Sequence, residues 1–371
     1  SVLGVRTALN AQAQHGADIM SRIEFALDGS HQGVLEHLTR QQIGALAADL
    51  LAERAADARP LESVIVVGNT AMHHLFCGLS LEPLALYPFE PASPGRQQFD
   101  AAQLGWDLPG NPPVQFLPCL GGFVGSDILA GLLATRLPQS ERLAALIDLG
   151  TNGEIVVGNR ERLLCASTAA GPAFEGARIA MGMRAATGAI AGVRVQNGRL
   201  QCRVLGNAAP RGICGSGLVD AVAAGLSLGW IRPNGRLANG DSLPLAGPVA
   251  LNQRDVRELQ LAKGAIAAGL RILLEQWGAT KADLSQVFLA GAFGNYINHA
   301  SARRIGLLDF PADQVRPAGN SALLGAKLAL FDPPGHDHDY AAIRAKIRHV
   351  SLNEDERFQE IFAEEMLFPP D

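Results

Sequence analysis

Two stretches of this chain, residues 41–135 and 255–331, repeat one order of elements. Each has a long helical run, an apolar strand, a glycine turn, a short helix, a short strand, a second glycine turn and a helix. In the first copy these are a helix at 41–56, a strand at 61–67 ending in Gly68-Asn69-Thr70, and a helix at 71–79. After an irregular excursion that holds seven prolines between Pro83 and Pro113 come a strand at 114–117, the turn Gly121-Gly122-Phe123-Val124-Gly125 and a helix at 126–135. The second copy runs through a helix at 255–276, a strand at 287–290, Gly291-Ala292-Phe293-Gly294, a short helix at 299–305, a strand at 314–317, Gly319-Asn320 and a helix at 321–331. The letters do not repeat, but the topology does. Strand, glycine turn, helix is the unit of an α/β domain, so the duplication predicts two α/β halves. They are placed at 1–138, with the proline-rich excursion at 82–113, and at 139–371, ending in a helical tail at 336–371.

The second half opens on a feature with no counterpart in the first. An apolar run at 143–147 delivers Asp148-Leu149-Gly150-Thr151-Asn152-Gly153-Glu154, and a second apolar run at 155–157 leaves it. The pattern predicts a β-hairpin over 143–158 with a glycine-rich bend. Successive backbone N–H groups in such a bend form an anion-binding concavity, a Thr hydroxyl adds a donor, and a carboxylate holds a hydrated Mg²⁺ nearby. An ordinary hairpin with a polar tip is the other reading of the same letters. The duplication implies that a matching hairpin precedes Ser1, so the chain is expected to be a fragment or a processed product.

Further glycine-rich stretches follow. Between Cys165 and Gly188 lies a run of small residues around Ala169-Ala170-Gly171-Pro172-Ala173-Phe174-Glu175, which reads as a close-approach loop or as plain tight packing. Residues 193–204 form a hairpin turned at Asn197-Gly198. Gly212-Ile213-Cys214-Gly215-Ser216-Gly217 opens a helix at 218–228, either as an anion-binding helix start or as a helix capped by Ser216. Cys214 lacks a recognisable His–carboxylate pair and reads as a packing residue. His73, His74 and the tract His336-Asp337-His338-Asp339 read as a helix start and a polar loop, with no metal role.

Charge narrows the function classes. Net charge is −5 with no sustained basic run, which speaks against nucleic acid as a partner. No apolar stretch approaches the ~18 residues of a membrane helix. The five cysteines are scattered without a C-x-x-C, which suits a reducing cytoplasm.

The motif order resembles the actin, Hsp70 and sugar-kinase superfamily, whose ribonuclease H-like fold duplicates an α/β domain around a central cleft for ATP. Asp148 to Gly153 looks like its second phosphate hairpin, residues 289–295 look like its adenosine turn, and the helices at 126–135 and 321–331 look like its crossing helices. More narrowly, Val66-Val67-Gly68-Asn69-Thr70, the hairpin, Ala169 to Ala177, Cys214-Gly215-Ser216-Gly217, Gln260-Leu261-Ala262-Lys263, Leu289 to Tyr296 and the ending Met366-Leu367-Phe368-Pro369 together resemble the reductive activators of corrinoid enzymes. The resemblance covers essentially the whole chain.

It implies an ATPase that drives reduction of a Co(II) corrinoid protein of a methyltransferase system to Co(I). Electrons would come through an iron–sulfur domain that this chain does not contain. ATP and Mg²⁺ are the implied cofactors, with Asp148 as the metal ligand and Glu154 and Glu175 as candidates to orient the attacking water. Gly150, Thr151, Asn152, Gly153, Gly215 and Ser216 are expected around phosphate. Gln260, Lys263, Gly291, Ala292, Phe293 and Gly294 are expected around the nucleoside. A cytoplasmic protein able to form a homodimer completes the expectation. Two competing readings are a small-molecule kinase of the same superfamily and a non-catalytic module that docks the corrinoid protein.

Overall fold

The computed structural model describes residues 2–16, 18–29, 31–53, 60–294, 296–332, 336–337 and 340–370, the side chain of Ala292 excepted. The described residues divide into two compact units, one of 1–134 with 321–349 and one of 135–320 with 350–371. The helix at Ser321–Ala329 therefore belongs with the first unit, where the sequence reading assigned it to the second half.

In the first unit a three-stranded sheet has the order β1 (Val64–Val66), β3 (Pro113–Phe116), β2 (Gln97–Asp100), with β1 and β3 parallel and β2 antiparallel to β3. Strand β2 lies inside the stretch expected to be irregular, because its prolines flank residues 97–100 and leave them free to pair. The long helix occupies Gln32–Ala52, earlier than the expected 41–56, and residues 54–59 lie outside the described residues. Asn69 caps the next helix, Thr70–Cys77, by accepting from Met72 N at 2.8 Å, and Gly78 ends it at a left-handed φ of 69°.

The two glycine turns of this unit interlock. Ser126 N donates to the Gly68 carbonyl at 2.9 Å, and a Cβ on Gly125 would fall 2.3 Å from that same oxygen. The two helices that resemble crossing helices pack directly: a Cβ on Gly325 would lie 1.9 Å from the Ala130 carbonyl, so only glycine permits the approach. His73 and His74 are fully buried, and burial pushes both imidazoles down, His73 to about 4. They join the core, His73 packing edge-on against Phe116. Asp337 accepts from Ala342 N at 2.9 Å and so supports the start of the helix Ala341–Lys346; His338 and Asp339 lie outside the described residues.

The second unit is built on strands in the order β13 (Val315–Gly319), β12 (Gln286–Ala290), β4 (Ala144–Leu149), β5 (Gly153–Gly158), β6 (Leu163–Thr168). Strand β12 is parallel to both β13 and β4, whereas β4, β5 and β6 form an antiparallel meander. A smaller sheet orders β8 (Arg199–Val204), β7 (Ala189–Gln196) and β9 (Gly212–Ile213), and β10 (Ser242–Ala246) pairs with β11 (Val249–Asn252). Asn197 and Gly198 turn the β7–β8 hairpin at φ of 51° and 72°, as their side chains predict.

The long helix Gln253–Trp277 starts in a reciprocal capping box between Asn252 and Asp255 and stops at Gly278, whose φ is 86°. Its apolar side, including Leu259, Ile266, Leu270 and Leu273, is buried in the main core, each such side chain contributing roughly 1.5–3 kcal/mol. Gly153 and Gly269 set its distance from the meander. A Cβ on Gly153 would meet Ile266 at 2.7 Å, and one on Gly269 would meet Thr168 at 2.6 Å.

The repeated order survives in the structure as parallel pairs, β1 with β3 and β12 with β13, each followed by a glycine turn and a helix.

Candidate functional site at the ends of two parallel strands

Strands β4 and β12 run side by side and parallel, so their C-terminal ends open on the same edge of the sheet. In open α/β sheets that edge is where ligands bind. Asp148 is the next-to-last residue of β4, opposite Ala290 on one side and Glu154 on the other. The chain turns at Gly150 to Asn152 with Gly150 N donating to the Asn152 carbonyl at 3.2 Å, then returns as β5.

Gly291 follows β12 immediately. Its φ is 85°, and a Cβ there would lie 2.7 Å from both Asp148 Oδ1 and the Leu149 carbonyl. Only glycine lets this backbone cross the carboxylate so closely. The stretch expected to be a plain turn is a single helical turn, Gly291–Gly294, since Gly291 alone supplies the left-handed residue that links it to β12. Ala292 lies within that turn, and Asn295 lies outside the described residues.

A third segment closes the group. Pro172–Glu175 forms a short 3-10 turn, and Glu175 Oε1 accepts from the Thr151 hydroxyl at 2.6 Å. Gly171 N donates to the Thr151 carbonyl at 2.8 Å. Phe174 stacks on Phe293 with ring centroids 4.7 Å apart, joining the Glu175 turn to the Gly291–Gly294 turn. The structure thus brings Asp148, Gly150, Thr151, Asn152, Gly153, Glu154, Glu175, Gly291, Phe293 and Gly294 together.

Burial lifts the Asp148 carboxyl to about 6, and among the described residues no hydrogen bond or ion pair offsets it. A carboxylate withdrawn from water without a partner is costly and is relieved by a cation. No group of three metal-ligating side chains gathers among the described residues. A lone carboxylate fits Mg²⁺ held mainly through water and ligand phosphates.

Four expected site residues are engaged elsewhere. Gln260 Nε2 donates to the Met366 carbonyl at 2.8 Å, and the buried Lys263 ammonium donates to the Leu367 carbonyl at 2.6 Å. Both side chains grip the C-terminal tail, which the three-residue spacing on one helix face allowed but could not show. A cavity of about 500 Å³ opens beside that tail, lined by Lys263, Asn234, Lys281 and Phe368 and by none of the hairpin residues. Gly215 is a packing glycine, since a Cβ would fall 1.9 Å from the Phe174 carbonyl. The Ser216 hydroxyl is turned inward to the Ala191 carbonyl at 3.0 Å, and Cys214, not Ser216, is the N-cap of the helix Gly215–Ser227. This helix start seats the Phe174 backbone and so supports the turn that carries Glu175.

Sequence reasoning missed Phe174 and Asp255. The Asp255 side chain accepts from Ala180 N at 2.7 Å and ties down the loop after Glu175. Its place three residues after Asn252 at a helix start was a legible capping signal; the bond to Ala180 was not.

Two family models cover the chain: the RACo middle region over residues 1–140, and the C-terminal domain of RACo, the ASKHA domain, over 142–371. The chain belongs to the RACo family. Its second unit therefore carries the ASKHA, or actin-like ATPase, fold that the motif order resembled. Among RACo relatives, the corrinoid activation enzyme RamQ of Eubacterium limosum is 36% identical over 403 residues, covering 99% of this chain and 66% of RamQ. The [Co(II) methylated amine-specific corrinoid protein] reductase of Methanosarcina barkeri is 26% identical over 390 residues, covering 95% of this chain and 70% of the reductase. A solved structure of a reductive activator for corrinoid, iron–sulfur protein matches with a TM-score of 0.87 and 30% identity, over 100% of this chain and 62% of its own. The chain thus spans about two thirds of the length of these RACo relatives.

Among the described residues no helix is long and apolar enough to cross a membrane.

Proposed function

We propose that this chain supplies the nucleotide-binding and partner-docking part of an ATP-dependent activator that returns the corrinoid protein of a methyltransferase system from Co(II) to Co(I). The observation that carries the reading is the crossing of the Gly291 backbone over the Asp148 carboxylate, which has no partner among the described residues, at the edge where β4 and β12 both end. The backbone N–H groups of Thr151 and Asn152 and the Thr151 hydroxyl bind phosphate oxygens, with Gly150 and Gly153 shaping the bend that presents them. The Gly291–Gly294 turn lies against the nucleoside through its backbone. Asp148 would hold a hydrated Mg²⁺, which would supply charge neutralisation for the phosphates.

Glu175 holds the Thr151 hydroxyl until a phosphate oxygen takes over that proton, and is then free to orient water; Glu154, on the strand beside Asp148, is the other carboxylate in reach. Nucleotide must favour one conformation of the protein over another, since only differential affinity moves a conformational equilibrium. Cysteines 77, 119, 165, 202 and 214 are all free, and among the described residues no three metal-ligating side chains gather as an iron–sulfur cluster requires. No electron step is therefore routed through this chain.

The test uses the full-length protein and a purified methylated-amine-specific corrinoid protein in its Co(II) form. Calorimetry with Mg·ATP should show binding, and visible spectroscopy under an artificial reductant should show Co(I) only when ATP is present. Absence of nucleotide binding, or Co(I) formation indifferent to ATP, would end this reading.

A further inference from the structure

Charge is distributed unevenly along the second unit. Residues 176–236 contain eight arginines and a single acid, Asp220, a net of +7 inside a chain of −5, so the remaining residues carry −12. All eight arginines are exposed, whereas Asp220 is buried.

The β7–β8 ribbon concentrates this charge by its register. Gln196 faces Arg199, Arg194 faces Gln201 and Gly192 faces Arg203, so Arg194, Arg199 and Arg203 share the solvent side. Leu200, Cys202 and Val204 alternate onto the opposite side, packed against the main core. Arg199 and Arg203 are diagonal neighbours of Arg194, at about 7–8 Å, a spacing at which like charges repel. Arg203 is anchored, donating to the Ala191 carbonyl at 3.2 Å and attracted by Asp220. Among the described residues Arg194 is bound by the neutral Gln201 alone, donating at 2.6 Å. Among the described residues none of these arginines forms a side-chain ion pair closer than 4.0 Å, so their mutual repulsion is offset only in part, by Asp220 at Arg203.

We propose that this arginine face of the β7–β8 ribbon is a docking surface for an acidic patch on a protein partner. The inference rests on the preceding reading and names the surface by which the corrinoid protein is met. Arginine presents a planar fork that matches carboxylates in pairs. A protein patch is favoured over nucleic acid for two reasons. A polyanion longer than the ribbon would meet the −12 of the remaining chain, and Trp230 is the one aromatic residue in 176–236, which leaves bases almost nothing to stack on.

The test again uses the full-length protein. Wild type, Arg194→Glu/Arg199→Glu and Arg194→Gln/Arg199→Gln are titrated with the Co(II) corrinoid protein of the test above at 50 and 300 mM salt, with a 20-nucleotide poly(U) RNA as a second probe. We expect wild-type affinity for the corrinoid protein to fall with salt. The reversal variant should lose about tenfold or more at low salt and most of the salt dependence, with the Gln variant intermediate. Thermal midpoints within a few degrees of wild type establish folding, and the exposed Gln variant serves if the reversal misfolds. Equal affinity across the three proteins overturns this inference alone. RNA bound more tightly than the corrinoid protein overturns it in favour of a nucleic-acid face. A wild type that binds no corrinoid protein overturns the functional reading and this surface together.

Discussion

Asp148 is the residue on which the site turns, and its environment gives it a pH signature. Burial raises its carboxyl from 3.8 to about 6, so in that window the folded chain keeps a proton that the unfolded chain has released. Its contribution to stability therefore falls as pH rises from about 4 to about 6 and stays low above. Asp148→Asn removes the charge while keeping the shape. We expect it to unfold at higher urea at pH 7.5, by about 1–2 kcal/mol, with no difference from wild type near pH 4, and to lose ATP turnover by about a hundredfold. Urea midpoints across pH 4 to 8 and a phosphate-release assay check the two parts. A variant more stable yet inactive marks a group held in strain for function. From sequence, Asp148 was legible as a candidate metal ligand beside a second reading of the same letters, an ordinary hairpin with a polar tip. That it has no partner among the described residues was not, because partners come from segments far apart in the chain.

At the scale of elements, three short segments are fixed to one another: the β4–β5 bend, the Pro172–Glu175 turn and the Gly291–Gly294 turn. Thr151 bonds the second, and the Phe174–Phe293 stack joins the second to the third. Gly291→Ala tests that geometry. The added methyl meets Asp148 Oδ1 and the Leu149 carbonyl at 2.7 Å in a left-handed backbone, so the turn must move off the carboxylate. We expect a loss of about 1–3 kcal/mol in stability and a weakened Mg·ATP affinity, read by urea denaturation and calorimetry. An alanine at Gly198, whose added methyl would meet nothing within 4 Å, shares the left-handed strain without the crossing and should leave nucleotide affinity intact. The helix periodicities, the Asn197-Gly198 hairpin and the β4–β5 hairpin could all be read from local letters. Strands β2 and β6 were missed, since each owes its existence to a neighbouring strand and not to its own pattern.

For the molecule as a whole, the C-terminal tail matters more than its length suggests. Gln260, Lys263 and Arg304 donate to the carbonyls of Met366, Leu367 and Pro369, Phe368 N donates to Pro233, and the Phe368 ring is buried in the main core. Burial pushes the Lys263 ammonium down to about 8, with Glu365 partly opposing the shift. Removing residues 366–371 strips that buried charge of its acceptor. We expect a loss of about 3–5 kcal/mol in the second unit, whereas Lys263→Met, which removes the charge and keeps the volume, should cost clearly less. Urea unfolding of both variants followed by circular dichroism decides between them. If truncation proves harmless, the tail is an ornament on the fold and not a part of its core.

The sequence by itself determined the class of this protein. The duplicated order of elements, the Asp148 hairpin and the glycine turn after β12 are local patterns, set by backbone freedom and apolar periodicity within a few residues of each other. Together they indicate two duplicated α/β halves, and the resemblance of the wider set of motifs to the corrinoid activators supplied the actin-like ATPase expectation. Only the tertiary structure decided which candidates meet. Gln260 and Lys263 share a helix face with the spacing of a binding pair, yet they hold a tail about a hundred residues away. Gly215 and Ser216 read either as an anion site or as a plain capped helix start, and in the structure a carbonyl and a strand fill the space around them. A side chain's partner is fixed by whichever distant segment reaches it first in the packed core, and no local pattern encodes that outcome.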